Sequence, residues 1–152
     1  MSVARKIACG TIAIAASAAT LPASAATPQT ASGHADILVQ SSTSWNGKPY
    51  EHYPTTAPEL TVLKLTIPPN SALPWHVHPV PNAGYVLQGQ LTIQDKASGK
   101  EKTFHTGEAF TESVEDAHRG VSGDQETVLI LVYSGTKGQK TSVPLKGEQT
   151  EY

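Results

Sequence analysis

The chain has 152 residues, 38% of them hydrophobic and 16% charged, with a formal net charge of −2. That length suits one domain built on a single core. No basic run and no interleaving of aromatic residues with Lys or Arg is present, so nucleic-acid binding is unsupported, and no segment reaches the roughly 20 apolar residues that span a bilayer.

The chain opens on Arg5 and Lys6, followed by an apolar, alanine-rich run from Ile7 to Leu21 and then Pro22 and Ala23-Ser24-Ala25. A positive start, a short apolar run and small residues at an A-x-A site predict a signal peptide over 1–25. Arg5-Lys6 is not a twin-arginine pair, so the general secretory route and a periplasmic or secreted mature protein are expected. Cys9, the single cysteine, lies inside this segment and ahead of most of the apolar run. The mature chain is therefore expected to have no disulfide and no thiol chemistry. Loss of Arg5 and Lys6 leaves 9 basic residues against 13 acidic ones.

Residues 26–35 read as a flexible lead-in, with His34 solvated. A single domain is expected over 36–152. Ile37, Leu38 and Val39 predict a first strand over 36–40, and Asn46-Gly47 between Trp45 and Tyr50 predicts a tight turn. His52, beside Tyr53-Pro54, is expected at the surface. Leu60, Val62, Leu63, Leu65 and Ile67 form a strand with partial period-2 alternation that stops at Pro68-Pro69-Asn70. Further strands are predicted at 85–87, 91–94, 103–105, 109–111 and 117–121. Turns are expected at Gln88-Gly89, over 95–102, at Thr106-Gly107 and at Ser122-Gly123-Asp124. His105, just before one of them, is expected to be exposed. Residues 126–133 (ETVLILVY) are the most hydrophobic strand and should be central. In the polar stretch after Ser134, Val143-Pro144-Leu145 is expected to dock on a sheet edge. No segment carries an amphipathic helical pattern, so many short strands between Gly, Pro and Asn turns predict a sandwich or barrel.

One stretch carries chemistry. In Pro74-Trp-His-Val-His-Pro-Val-Pro-Asn-Ala-Gly-Tyr-Val-Leu-Gln-Gly89, His76 and His78 stand two apart. On a strand they share a face about 6 to 7 Å apart and can grip one metal ion. A second region runs from Gly107 to Ser113-Val114-Glu115-Asp116-Ala117-His118.

In these two regions the chain resembles the cupin superfamily, the RmlC-like jelly rolls. The first cupin motif runs glycine, five residues, His-x-His, three or four residues, Glu, six residues, glycine. Here Asn70 stands at the opening glycine, His76 and His78 at the histidines, Asn82 at the glutamate and Gly89 at the end. The second runs glycine, five residues, Pro-x-Gly, two residues, His, three residues, Asn. Here Gly107, Ser113, Glu115, His118 and Ser122 take those places. The motifs lie at 70–89 and 107–122. The resemblance implies an all-β cupin double-stranded β-helix (jelly-roll barrel), with His76, His78 and His118 as metal ligands.

The departure at Asn82 matters, because an amide oxygen is neutral and a much weaker ligand than a carboxylate. Asn82 is thus expected to be a weak ligand or to orient another group. Three neutral imidazoles leave the full charge on a divalent ion; Fe(II), Zn, Mn, Ni and Cu all suit them. Some cupin oxygenases use three histidines and no carboxylate. Candidate catalytic groups are Glu112, Glu115 and Tyr85. Either acid is more simply read as a solvated loop residue, yet could reach the site as a base or replacement carboxylate. Tyr85 is expected to line the pocket. Two readings stay open: a metal-dependent enzyme, oxygenase-like or otherwise converting a small molecule, and a non-catalytic module that holds a small ligand or a metal. The resemblance also makes a homodimer a natural expectation.

Overall fold

Period-2 burial builds the first long strand. In the computed structural model, which describes residues 32–152, β1 (Pro58–Ile67) turns Leu63, Leu65 and Ile67 toward the interior, while Leu60, Val62, Lys64 and Thr66 face out. The side chains of Leu60 and Val62 therefore lie on the opposite face from the other apolar residues of the same strand, which is why the alternation in the sequence is only partial. Eight more strands follow: β2 (His76–Val77), β3 (Asn82–Gln88), β4 (Gln90–Asp95), β5 (Glu101–His105), β6 (Ala109–Thr111), β7 (His118–Ser122), β8 (Thr127–Thr136) and β9 (Val143–Pro144). There is no helix among the described residues. The predicted signal peptide, its Cys9 and the first part of the lead-in lie outside the described residues.

The strands form two antiparallel sheets, one ordered β1-β8-β3-β6 and the other β5-β4-β7-β2-β9. Strand β8, the most hydrophobic segment, is paired on both sides, in register with β1 from Pro58↔Thr136 to Ile67↔Thr127 and with β3 from Asn82↔Tyr133. It is central, as its composition predicts, because a strand flanked on both sides must be apolar to be buried. Strand β9 docks on β2 at the edge of the second sheet. Leu65, Ile67, Val86, Phe110, Leu129, Leu131 and Tyr133 from the first sheet meet Leu91, Ile93 and Phe104 from the second to form the core. This is the all-β jelly roll that the resemblance implies.

The expected strand over 36–40 does not form. Ile37, Leu38 and Val39 lie in an irregular segment with a bend at Leu38 and are exposed at 77, 59 and 37%. Strand propensity depends on cross-strand partners, and these three residues have no sheet beside them. The Asn46-Gly47 turn does form: Thr43 pairs with Pro49, and Gly47 adopts φ 90°. The turn expected over 95–102 is shorter, because β4 runs on to Asp95 and β5 begins at Glu101. Asp95 folds that turn, its Oδ1 accepting hydrogen bonds from the Ser98 N–H and hydroxyl, each at 2.7 Å.

Two positions settle the register of the motifs. Among the described residues, Asn70 (φ 50°) and Glu115 (φ 55°) are the non-glycine residues with positive φ. Both stand where the motif spacing puts a glycine, so the backbone keeps the left-handed turn and accepts the strain of a side chain there. Asn tolerates that conformation better than Glu does.

Candidate metal centre

Two short strands of the second sheet bring the histidines together. His76 on β2 lies directly across from His118 on β7. His78 follows β2, and its backbone bridges to Val114 in the loop before β7. Its carbonyl also accepts a hydrogen bond from the Glu115 N–H at 2.9 Å. All three rings are 1% exposed. Their centroids form a near-equilateral triangle with sides of 4.8, 4.7 and 4.9 Å.

The rings are fixed from behind. His76 Nδ1 donates to the Pro74 carbonyl at 2.8 Å, His78 Nδ1 to the Thr141 carbonyl at 2.7 Å, and His118 Nδ1 to the Asp116 carbonyl at 2.7 Å. Since a carbonyl only accepts, each Nδ1 must carry the proton. Each Nε2 of the neutral ring then offers its lone pair, and all three Nε2 atoms are buried without a hydrogen bond of good geometry. One ligating nitrogen from each ring lies within 4.8 Å of the others. Buried nitrogen lone pairs converging on one point, with outer nitrogens locked by carbonyls, is how proteins orient imidazoles for a metal. The residues present fit a divalent ion.

The carboxylate missing at position 82 is supplied from elsewhere. Glu112, one residue beyond β6 and beside Asn82 in the sheet, is 7% exposed. Its Oε2 lies 3.1 Å from His78 Nε2 and its Oε1 3.7 Å from His118 Nε2. The expectation of a solvated loop acid is thus corrected: the alternation of β6 continues one residue and turns Glu112 inward with Phe110. Asn82 donates from Nδ2 to Glu112 Oε2 at 2.7 Å, while its own Oδ1 is buried without a partner. It holds the carboxylate in place. Burial alone would raise the Glu112 carboxyl, but the rings of His78, His118 and His76 outweigh it and pull it down to about 2. Burial lowers His76 and His118, favouring their neutral forms. Burial acts on His78 in the same direction, but the Glu112 carboxylate outweighs it and the ring is raised.

Two candidates lie outside the site. Tyr85 alternates with the buried Asn82, Gly84 and Val86 on β3 and faces away from the interior, so it does not line the pocket. Its odd separation from Asn82 carries that information. Glu115 is exposed and contributes through its backbone. His105 and His52 are exposed as expected. Two residues complete the walls. Tyr133 is fully buried, with its ring edge-on to His78 at 5.2 Å. Burial, reinforced by the Glu112 and Glu151 carboxylates, raises its phenol and keeps it protonated. Glu151 places Oε2 3.4 Å from His76 Nε2, with its side chain only 4% exposed. No spacing rule announces Glu151, because an acid in a polar stretch reads as solvated.

A cupin-domain family model matches residues 63–133, the interval that holds the histidines, Asn82 and Glu112. Residues 63–133 are thus a cupin domain. Among solved structures, it is similar to the DMSP lyase DddQ from Ruegeria pomeroyi DSS-3, at 15% identity and a TM-score of 0.52, over 68% of this chain and 49% of that one. It is also similar to an RmlC-like cupin from Shewanella frigidimarina NCIMB 400, at 21% identity and a TM-score of 0.46, over 53% of this chain and 69% of that one. The chain thus spans about half the length of the lyase, and at 15% identity the likeness to it is one of fold. No curated protein matches the chain.

Proposed function

We propose that this cupin is a metal-dependent enzyme that converts a small molecule, with His76, His78, His118 and Glu112 as the metal ligands. One observation carries the reading: three buried Nε2 atoms converge while every Nδ1 is committed to a backbone carbonyl. A divalent ion held there would supply a Lewis acid toward an oxygen-bearing substrate or bound water. The protein's own part is to favour the neutral forms of His76 and His118 by burial, to keep Glu112 ionised beside the three rings and oriented by Asn82, and to exclude bulk water with Tyr133 and the surrounding sheets. An oxygenase-like activity is the finer form of this proposal. Metal content of the purified protein, followed by His118→Ala, tests the first part. We expect about one ion per chain, lost in the variant; a protein that never holds stoichiometric metal sinks the reading. Oxygen uptake with diketones, thiols or phenolics tests the second.

The enclosure of the histidines favours a second reading, a module that holds a metal without turning over substrate. Structural sites are closed, whereas catalytic ones keep an open position. Exchange of bound-metal water, measured by relaxation with Mn(II), separates the two.

Export to the periplasm or beyond, after removal of residues 1–25, is part of the proposal and rests on Arg5-Lys6, the apolar run and Ala23-Ser24-Ala25. The intact mass of the protein from its native compartment reads the cleavage site directly. A homodimer is proposed on the outer face of the first sheet, where Leu60 and Val62 are exposed at 72 and 66%. Sedimentation of Val62→Lys, expected to shift toward monomer, checks it.

A further inference from the structure

The residues after β9 reach back to the histidines. The Leu145 N–H donates to the Trp75 carbonyl at 2.9 Å, and the Glu148 N–H to the Leu145 carbonyl at 3.0 Å. The Tyr152 hydroxyl pairs with Thr141 Oγ1 at 2.6 Å, on the residue whose carbonyl fixes His78. Between these anchors the chain delivers Glu151 into the interior. Its Oε2 is buried without a hydrogen-bond partner, and His76 Nε2 at 3.4 Å is likewise unpartnered. Glu112 lies against His78 and His118 instead. The three rings are therefore flanked by two separate carboxylates, from different parts of the chain.

A buried carboxylate oxygen left without a hydrogen bond is costly, and two buried carboxylates beside one cluster are more so. A divalent cation removes the difficulty. Three neutral imidazoles leave its charge of +2 uncompensated, Glu112 reduces that to +1, and Glu151 brings the buried site to zero. We propose that Glu151 is a metal ligand of this cupin, carried by the 145–152 segment rather than by either motif. This rests on the metal-binding reading given above.

Co(II) binding by the full chain tests this, with Co(II) alone as the probe and its visible absorption reporting coordination. Glu151→Gln keeps the size of the side chain and removes its charge. We expect it to weaken Co(II) binding roughly ten- to a hundredfold and to change the visible spectrum. The metal-free melting temperature should stay level or rise, because a buried charge has gone. If Glu151→Gln does not fold, Glu151→Ala is read by the same two measures. Affinity and spectrum equal to wild type, while His118→Ala abolishes binding, would overturn the Glu151 assignment and leave the three-histidine site standing. Failure of the wild type to bind Co(II) at all would overturn both.

Discussion

Asn82 and Glu112 show how one site is re-divided between neighbouring strands. The usual cupin position for a carboxylate carries an amide, and the carboxylate has moved to the adjacent residue across the ladder, held by the Asn82 amide at 2.7 Å. Asn82→Glu would place a second acid against Glu112 in a buried setting and remove the donor. We expect a loss of about 1–3 kcal/mol of metal-free stability, measured by urea denaturation. The exchange variant Asn82→Glu/Glu112→Gln restores one carboxylate and one amide, and should bind metal closer to wild type than either single variant does. If the exchange is as weak as the worse single variant, the two positions are not interchangeable. Asp95 gives a pH-dependent case. Burial would raise its carboxyl, but the Ser98 N–H and hydroxyl and the Asn46 amide outweigh that and bring it down to about 2. A carboxyl lower in the folded than in the unfolded chain adds stability above the unfolded value, and loses it as pH falls through the folded one. The stability difference between wild type and Asp95→Asn should therefore be full near pH 6 and shrink between about pH 4 and pH 2. A difference that stays constant over that window would show that the turn does not depend on the ionised form.

At the scale of elements, β3 and β6 depend on a missing side chain. A Cβ added at Gly84 would stand 2.1 Å from Phe110 Cζ, because the phenyl ring lies across the glycine of the paired strand. Gly84→Ala should cost about 1–3 kcal/mol through overpacking. Phe110→Leu, itself destabilising, should remove most of the added cost in the double variant. Additive losses in a double-mutant cycle would show that the ring moves aside freely. Strand β2 has only two residues, yet it carries His76 and lies between β7 and β9. Its place is fixed by neighbours rather than by its own propensity, which is why the sequence announces it through the histidine spacing and not through a hydrophobic run. The reverse holds over 37–39, where a clear apolar triplet remains unpaired for want of an adjacent edge.

For the whole molecule, the proposed metal site would join the motif strands, the loop before β7 and the 145–152 segment, so loading should stabilise the fold. At a hundredfold excess over Kd, a bound ion adds about 2.7 kcal/mol, or roughly 10 °C in melting temperature for a domain of this size. Chelation should reverse the shift, and His118→Ala should abolish it; a shift that survives that substitution would place the ion elsewhere. The order of strands and turns, the central β8 and the three-histidine set were legible in the sequence, because alternation, turn residues and ligand spacing are local properties. The left-handed backbone at Asn70 and Glu115 was not read from the sequence; the motif spacing marked only that each stands at a glycine position. Tertiary structure decided the rest. Glu112 faces inward only because β6 extends its alternation beside Asn82, and Glu151 reaches His76 only because β9 pairs with β2 and turns the following residues back over the site. A carboxylate's sequence neighbours say whether it could be solvated; which charges it meets when buried depends on contacts between segments far apart in the chain.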